Sequence, residues 1–537
     1  MSKPVVQNAQ TNNAKFVSII PENGNEFSPG QKIVFNIDPS IGWIKGRDSY
    51  LVFEIENVSK TLMLSLRKGG ISSVIKQLNI FSAQNGMLLE SLDNYNQWTS
   101  CEMEYAYDDP VNLTNIEGCA KSIASKKPLS DIVYHNWNNT YSDPESHRFT
   151  QLNNDCTQQA SPVRFCTPLR CGIFRHWDAE SLVPVLQMGG LRVELVLAPS
   201  LEVVDLPFVS NKPNHLAPIM ALPLEVVNPT PANLATLDVN VGVNTPQEIG
   251  LMVGNTINIA YTPTGGVATT VNSVISSIDN SGVNGVPKIT FAPALTVAND
   301  ADNATVTLDP YFFAETNIAY KIKSCEFRLL QEMPPDDKMK NIEYVFTSYN
   351  LFRDSIPQTQ VNFNQDITSV ASKAVSLFTM YEDPQYDNLA SFPNQHYTQG
   401  LNPDEVGVFL NSVVYFINNK LYPLRAYNPR GLADKVINQN EVVKAFGTLN
   451  IQVKSLGSNE REALDQYTNR YLHARELARG NSVFSLQNAE PQIRVGFSAV
   501  RGADKYANQI GNIRMNTYVF SKKVLTIDGE NGLSLEH

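Results

Sequence analysis

The stretch "IVFNIDPSIGWIKGRDSYLVFEIE", residues 33–56, sets two alternating apolar runs around a segment that carries Pro39, Gly42 and Gly46. In the second run Leu51, Phe53 and Ile55 share one face, while Tyr50, Val52 and Glu54 share the other. A period of two is the signature of a half-buried β-strand. The expectation is two consecutive strands turned by "PSIGWIKG", with Leu51, Phe53 and Ile55 toward a core.

Outward from this stretch the same pattern recurs. "VIKQLNIFSA" and "MLLESL" alternate and are separated by "QNG", a hairpin signal. Strand character returns in "VRFCTPLRCGIF", "GGLRVELVLAPS", "NIAYKIKSCEFRLLQEM", "NIEYVFTSYNLF", "AVSLFTMY" and "VGVFLNSVVYFINNKLYPL", the last with a turn at Asn418–Asn419. Between these runs, residues 105–160 are polar and irregular, and Trp98, Trp137 and Trp177 lie in or beside them. A loop of that length is usually functional or interface-forming.

One strong helix interrupts the strands, "SNEREALDQYTNRYLHARELARG" at 458–480. Asn459 with Glu462 fits a capping box, Leu464, Tyr467 and Tyr471 form a stripe, and Gly480 supplies the stop. Residues 201–320 hold no arginine and only two lysines, Lys212 and Lys288, so 204–316 reads as a β insertion. "PPDDK" at 334–338 reads as a connector between domains.

The two halves end alike. "LRVELVLAPS" (191–200) is followed, past the insertion, by "NIAYKIKS" (317–324); "IRVGFSAVRG" (493–502) is followed by "NIRMNTYVFSKK" (512–523). This spacing predicts a duplicated β domain.

The chain has 537 residues, 42% hydrophobic and 18% charged, with a formal charge of -11. That balance argues against a nucleic-acid coat, which needs clustered Lys and Arg. The N-terminus shows no apolar signal core, and no uncharged apolar window of about 18 residues exists for a membrane helix. The expectation is a non-secreted product of the cytosol. Cys101, Cys119, Cys156, Cys166, Cys171 and Cys325 form no CxxC pair and read as reduced thiols. Asn57, Asn112, Asn138 and Asn303 match the glycosylation pattern at the rate that chance gives a chain this rich in Asn and Thr.

Catalytic signatures are missing from the sequence: no phosphate-binding loop, HExxH helix, GxSxG elbow or dinucleotide fingerprint occurs. His176 and Asp178 in "HWDAES" have no identifiable nucleophile and read as structural hydrogen-bonders. Asp300 and Asp302 in "NDADN" lack the glycine and closing glutamate of a calcium loop. Asp108–Asp109 and Asp336–Asp337 are adjacent pairs whose side chains tend to point apart, unlike the converging acids of a glycosidase. Arg461, Arg470, Arg475 and Arg479 alternate with Glu460, Glu462, Asp465 and Glu476, as on a solvated face. No catalytic residue, cofactor or metal ligand is assigned.

Taken together, "FNIDPSIGWIKGRDSYLVFEI", the long loop after the middle strands, "GGLRVELVLAP" and the repeat of that plan resemble the double jelly-roll major capsid proteins of eukaryotic DNA viruses. The likeness is nearest to polinton-like viruses, virophages and the giant-virus lineage. It implies an all-β chain of two tandem eight-stranded jelly rolls with a β insertion and a few short helices. The implied layout is a flexible arm at 1–15, a first barrel at 16–333 interrupted by 204–316, and a second barrel at 339–537 containing helix 458–480.

The resemblance also implies function. Three chains would form a pseudo-hexameric trimer tiling an icosahedral shell around double-stranded DNA, with neighbouring capsomers, penton and minor capsid proteins as partners. The 105–160 loop with Trp137 would interlock subunits, and 204–316 would be an outward tower able to meet a host receptor. Such a protein is no enzyme, binds no specific nucleic-acid sequence, and is made in the host cytoplasm before residing in the virion. The alternative is a spike, attachment or carbohydrate-binding β protein, which exposed aromatic platforms would favour.

Overall fold

In the computed structural model, antiparallel strands build almost the whole of what is ordered into elements. The structure describes residues 15–58, 65–66, 70–106, 117, 163–180, 182–205, 224–225, 234–239, 255–261, 269–279, 288–295, 305–313, 319–332, 341–368, 371–382, 410–418, 420–428, 432–453, 472–478, 484–487, 489, 491–497, 512–528 and 532–536.

The first half contributes β1 (Lys15–Ile19), β2 (Lys32–Ile37), β3 (Trp43–Asn57), β4 (Ile75–Ser82), β5 (Leu88–Asp93), β6 (Val163–Pro168), β7 (Leu191–Leu197) and β8 (Tyr320–Glu332). They pair as two sheets, β1-β8-β3-β6, with the short segment Leu182–Pro184 also on β3, and β2-β7-β4-β5. The second half contributes β9 (Asn341–Ile356), β10 (Asn362–Asp366), β11 (Ala374–Glu382), β12 (Leu410–Ile417), β13 (Lys420–Tyr427), β14 (His473–Glu476), β15 (Gln492–Phe497) and β16 (Ile513–Asp528). These pair as β9-β16-β11-β14 and β10-β15-β12-β13. Adding eight to every strand of the first order reproduces the second. Each half is therefore an eight-stranded jelly roll, in which two packed sheets hide most backbone edges. A last strand, β17 (Gly532–Glu536), pairs with β16.

The opening stretch behaves as its alternation demands. Leu51, Phe53 and Ile55 are fully buried, as are Ile33 and Phe35 in β2. Phe35 and Phe327 meet between the two sheets with ring centroids 5.7 Å apart. Full burial of side chains of this size is worth about 2 kcal/mol each. The turn, however, is shorter than "PSIGWIKG". Only Pro39–Ile41 forms a 3-10 turn, capped where the Asp38 carboxylate accepts from the Ser40 N–H at 2.7 Å. Strand β3 already starts at Trp43, and β2 and β3 enter opposite sheets. Gly46 thus lies inside a strand, where a Cβ would collide with the Phe174 carbonyl. A strand glycine here marks close backbone approach.

The repeated motifs occupy matching places. Leu191–Arg192–Val193 lies in β7 and Ile493–Arg494–Val495 in β15, each the seventh strand of its barrel. Ile513 of the second Asn–Ile segment opens β16, and the "YKIKS" that follows the first opens β8, each the eighth strand of its barrel; Asn317 and Ile318 lie outside the described residues. The "QNG" signal joins β4 to β5 as a hairpin, and Asn418, at φ 51°, turns β12 into β13.

Other expectations are corrected. Within the expected helix 458–480, residues 473–476 are strand β14, paired with β11; positions 458–471 and 479–480 lie outside the described residues. "HARE" has good helix formers, but burial of His473 and Ala474 against the barrel overrides local preference. Lys15, expected in the arm, already pairs with Gln331. Besides the short helix Ser200–Val203, two longer helices lie where no helix is expected: α1 (Tyr95–Ala106), between β5 and β6, and α2 (Leu432–Gly447), between β13 and β14. Between β7 and β8, Val204–Asp205 pairs with Ser65–Leu66. There follows a six-stranded sheet in the order 224–225, 234–239, 288–295, 269–279, 255–261, 305–313. The connector 334–338, Trp137, Asp108–Asp109, Asp300 and Asp302 lie outside the described residues.

Candidate functional site: the seam between the two barrels

Of the side chains that sequence reading singled out, His176 and Asp178 lie at the seam between the barrels with several it missed. Arg475 instead pairs with Glu441 at 2.7 Å. Helix α1 forms the centre of the seam. Nearly every described side chain from Tyr95 to Met103 is buried, polar ones included. A helix buried on all sides shows no amphipathic stripe, and each polar group on it needs a partner.

Tyr95, Asn96 and Glu102 find theirs within the first barrel, at Arg170 N, Glu202, His176 and Trp177, while Gln97 reaches into the second. Gln97 donates to the Glu382 carboxylate, while its own oxygen accepts from Asn516 Nδ2 at 3.1 Å and from the Tyr518 hydroxyl. Asn516 also donates to Glu382 at 2.8 Å. Trp98 packs against Phe378, Tyr349, Tyr518 and Phe520, with centroid separations of 4.6 to 6.0 Å. Edge-to-face and tilted aromatic pairs add about 0.5–1.5 kcal/mol each beyond their area.

The segment after β6 supplies a second layer. Arg170 is fully buried and holds Glu117 through two bonds of 3.0 and 2.9 Å, with Nη1 on the Ser72 and Thr167 hydroxyls at 3.0 Å. Glu90 accepts from the N–H groups of Gly172 and Ile173, both at 2.9 Å, and from the Ser348 hydroxyl of the second barrel at 2.6 Å. Burial pushes the Glu90 carboxyl up, against the pull of these bonds and of the Lys523 charge. Burial likewise pushes Lys523 down. Gly172 is tightly enclosed, since a Cβ there would collide with the Thr347 carbonyl and stand 2.6 Å from the Phe346 ring.

His176 and Asp178 do not form a pair. His176 Nε2 bonds Glu102 Oε1 at 2.5 Å, and Glu102 Oε2 accepts from Trp98 Nε1 at 3.1 Å and Trp177 Nε1 at 2.9 Å. Burial would raise the Glu102 carboxyl, but His176, Arg170 and Trp177 together hold it below the ordinary carboxylate range. Asp178 instead crosses the seam, accepting from Thr347 N at 3.1 Å and Thr347 Oγ1 at 2.9 Å, and burial raises it. Both side chains are occupied as structural hydrogen-bonders. Arg175 lies over the Tyr344 ring at 4.3 Å, and the Tyr344 hydroxyl donates to the Ile173 carbonyl at 2.6 Å. What this arrangement can do is lock two barrels at one relative orientation.

Away from the seam, a cleft of about 570 Å³ is lined by Asn36, Asp38, Phe81, Arg192 and Glu194, among others. Its Arg192 is paired to Glu194 at 2.9 Å. Among the described residues no cluster of three metal-ligating side chains occurs, and no helix is long and apolar enough to cross a membrane. No signal for the seam was visible locally, because Gln97 of α1 finds its polar partners more than 250 residues away in sequence.

Comparison with solved structures finds capsid proteins over nearly the full length. The chain is similar to the Faustovirus major capsid protein at 9% identity and a TM-score of 0.47, covering 96% of this chain and 90% of that one. It is similar to the PBCV-1 virus capsid at 11% identity and a TM-score of 0.46, covering 98% and 97%. For the Sputnik virophage the values are 11% and 0.43, covering 100% and 92%. No family model and no curated protein sequence matches the chain.

Proposed function

We propose that this chain is the major capsid protein of a DNA virus, a building block that self-assembles into an icosahedral shell. The observation that carries the reading is the duplicated strand order, β1-β8-β3-β6 with β2-β7-β4-β5 and then the same plan eight strands on, locked side by side through α1. Two equivalent barrels at a fixed orientation let three chains present six similar units, so a threefold particle can fill a sixfold lattice position. The polar groups at the seam are taken up by orientation, as a tiling block requires. Neighbouring capsomers, pentons and minor capsid proteins are the partners of such a block, the virion its location, and the host cytoplasm its place of synthesis.

Residues 206–316 are proposed as an inserted unit on the β7–β8 connection, because the strands of its six-stranded sheet pair with one another. An outward tower able to contact a host receptor is the role that suits it. Val204–Asp205 belongs with the barrel through its pairing to Ser65–Leu66.

Native mass spectrometry and electron microscopy of the purified protein test the reading. The expected result is a trimer of roughly 180 kDa, three times the 59.6 kDa chain, with six barrels in projection. A monomer that binds glycans would overturn it.

A further inference from the structure

The outer faces of β1-β8-β3-β6 and β9-β16-β11-β14 occupy the same place in their barrels, yet among the described residues only the second is covered. On the second barrel Tyr349, Phe378, Tyr518 and Phe520 are fully buried, sealed by α1 of the first. On the first barrel Phe16 is 52% exposed and pairs edge-to-face with the half-buried Tyr50 at 5.8 Å. The charges around that pair are matched within the face: Arg164 to Glu54 at 2.8 Å and Arg328 to Glu326 at 3.0 Å. An aromatic centre with neutralised charges is the makeup of a contact surface.

The second barrel carries a helix in the same position as α1. Helix α2 also lies between the fifth and sixth strands of its barrel, and it buries Val442, Ala445 and Phe446 against its own barrel. Its other side is bare, with Val436 at 47%, Ile437 at 43% and Val443 at 36% exposure. The helix runs into the seam already described, since the Phe446 ring stacks on Trp98 at 6.0 Å. Among the described residues one barrel thus presents a partly exposed sheet face and the other a partly exposed helix face.

We propose that the exposed side of α2 docks onto the Phe16–Tyr50 face of a second copy, repeating between chains the covering that α1 provides within one. This rests on the assembly reading above and adds which surfaces meet. The contact is head-to-tail, so each copy uses both surfaces once, and the rotation between barrels decides that the chain of contacts closes into a ring. A buried carboxylate in either surface lacks a counter-charge and blocks the contact.

Two variants separate the surfaces, Val436→Asp with Val443→Asp on the helix, and Phe16→Asp with Tyr50→Ser on the sheet. Both change outward side chains, and circular dichroism and melting checks that each still folds. By native mass spectrometry each variant alone is expected to be monomeric where the parent assembles. Mixed one to one they should give a heterodimer and nothing larger, because one competent junction remains. Either variant assembling like the parent, or a mixture that stays monomeric, overturns the pairing and leaves the shell reading standing. A parent that is monomeric at every concentration overturns both.

Discussion

The ring of Trp98 lies 4.6 Å, centroid to centroid, from the ring of Phe520, although the two residues belong to different barrels. Around that contact Trp98 also meets Trp177, Tyr349, Phe378, Phe446 and Tyr518. The core of the first barrel and the outer sheet of the second are therefore one continuous apolar cluster. The interior of the second barrel is a separate cluster, built on Leu377, Val413, Ile493 and Val519.

Trp98→Ala should loosen that junction more than either barrel. Loss of a fully buried indole costs about 3–5 kcal/mol, and Glu102 loses one donor as well. Urea unfolding should show a lowered midpoint and a transition that separates into two. An unchanged single transition would mean that the barrels are coupled elsewhere.

Gly172→Ala should force the barrels apart, because the added methyl collides with the Thr347 carbonyl. Overpacking of this kind costs about 1–3 kcal/mol. Gly447→Ala is the control: its Cβ meets nothing within 4 Å, so it should be neutral or slightly stabilising. Equal effects at the two positions in thermal melts would contradict the close approach.

Arg170→Met should leave the Glu117 carboxylate buried without its bidentate partner. Breaking a buried pair from one side costs about 3–5 kcal/mol, whereas removing both charges can be nearly neutral. Arg170→Met combined with Glu117→Leu should therefore recover most of the loss. A double variant as unstable as the sum of the singles would show that the two do not act as a pair.

His473 makes the second barrel sensitive to acid. It is buried between the hydroxyls of Tyr381, 2.8 Å from Nε2, and Tyr415, 2.7 Å from Nδ1. Burial pulls its pKa from 6.5 down to about 3. The unfolded chain binds this proton near 6.5 and the folded one only near 3, so stability is present above 6.5 and is lost as pH falls toward 3. By pH 4 the loss is roughly 3 kcal/mol. His473→Gln, which can keep both hydroxyl contacts, should flatten stability between pH 6 and 4. Parallel pH profiles for the two proteins would show that His473 does not carry the effect.

Much of the barrel core was legible because it obeys a period of two. Leu51, Phe53 and Ile55 could be placed inward from alternation alone, and burial agrees. The repeats at Leu191–Val193 and Ile493–Val495 pointed to duplication because equivalent strands need the same inward and outward choices. Gly46 misled, since a glycine required by a passing backbone looks the same in sequence as one required by a turn. Helix α1 was invisible for a stronger reason. "YNQWTSCEMEYA" has no apolar stripe, and Gln97 makes sense only beside Glu382, Asn516 and Tyr518, as Asn96 and Glu102 do beside Glu202, His176 and Trp177.

By itself the sequence determined that strands dominate, which residues of β2 and β3 face a core, and that one plan is used twice. These follow from local periodicity and from short repeats. Only the tertiary structure decided that β2 and β3 part into opposite sheets, that "HARE" is a strand, and that α1 is the bolt between the barrels. Those outcomes depend on partners up to several hundred residues away, and no local pattern records the burial and hydrogen bonds that such partners supply.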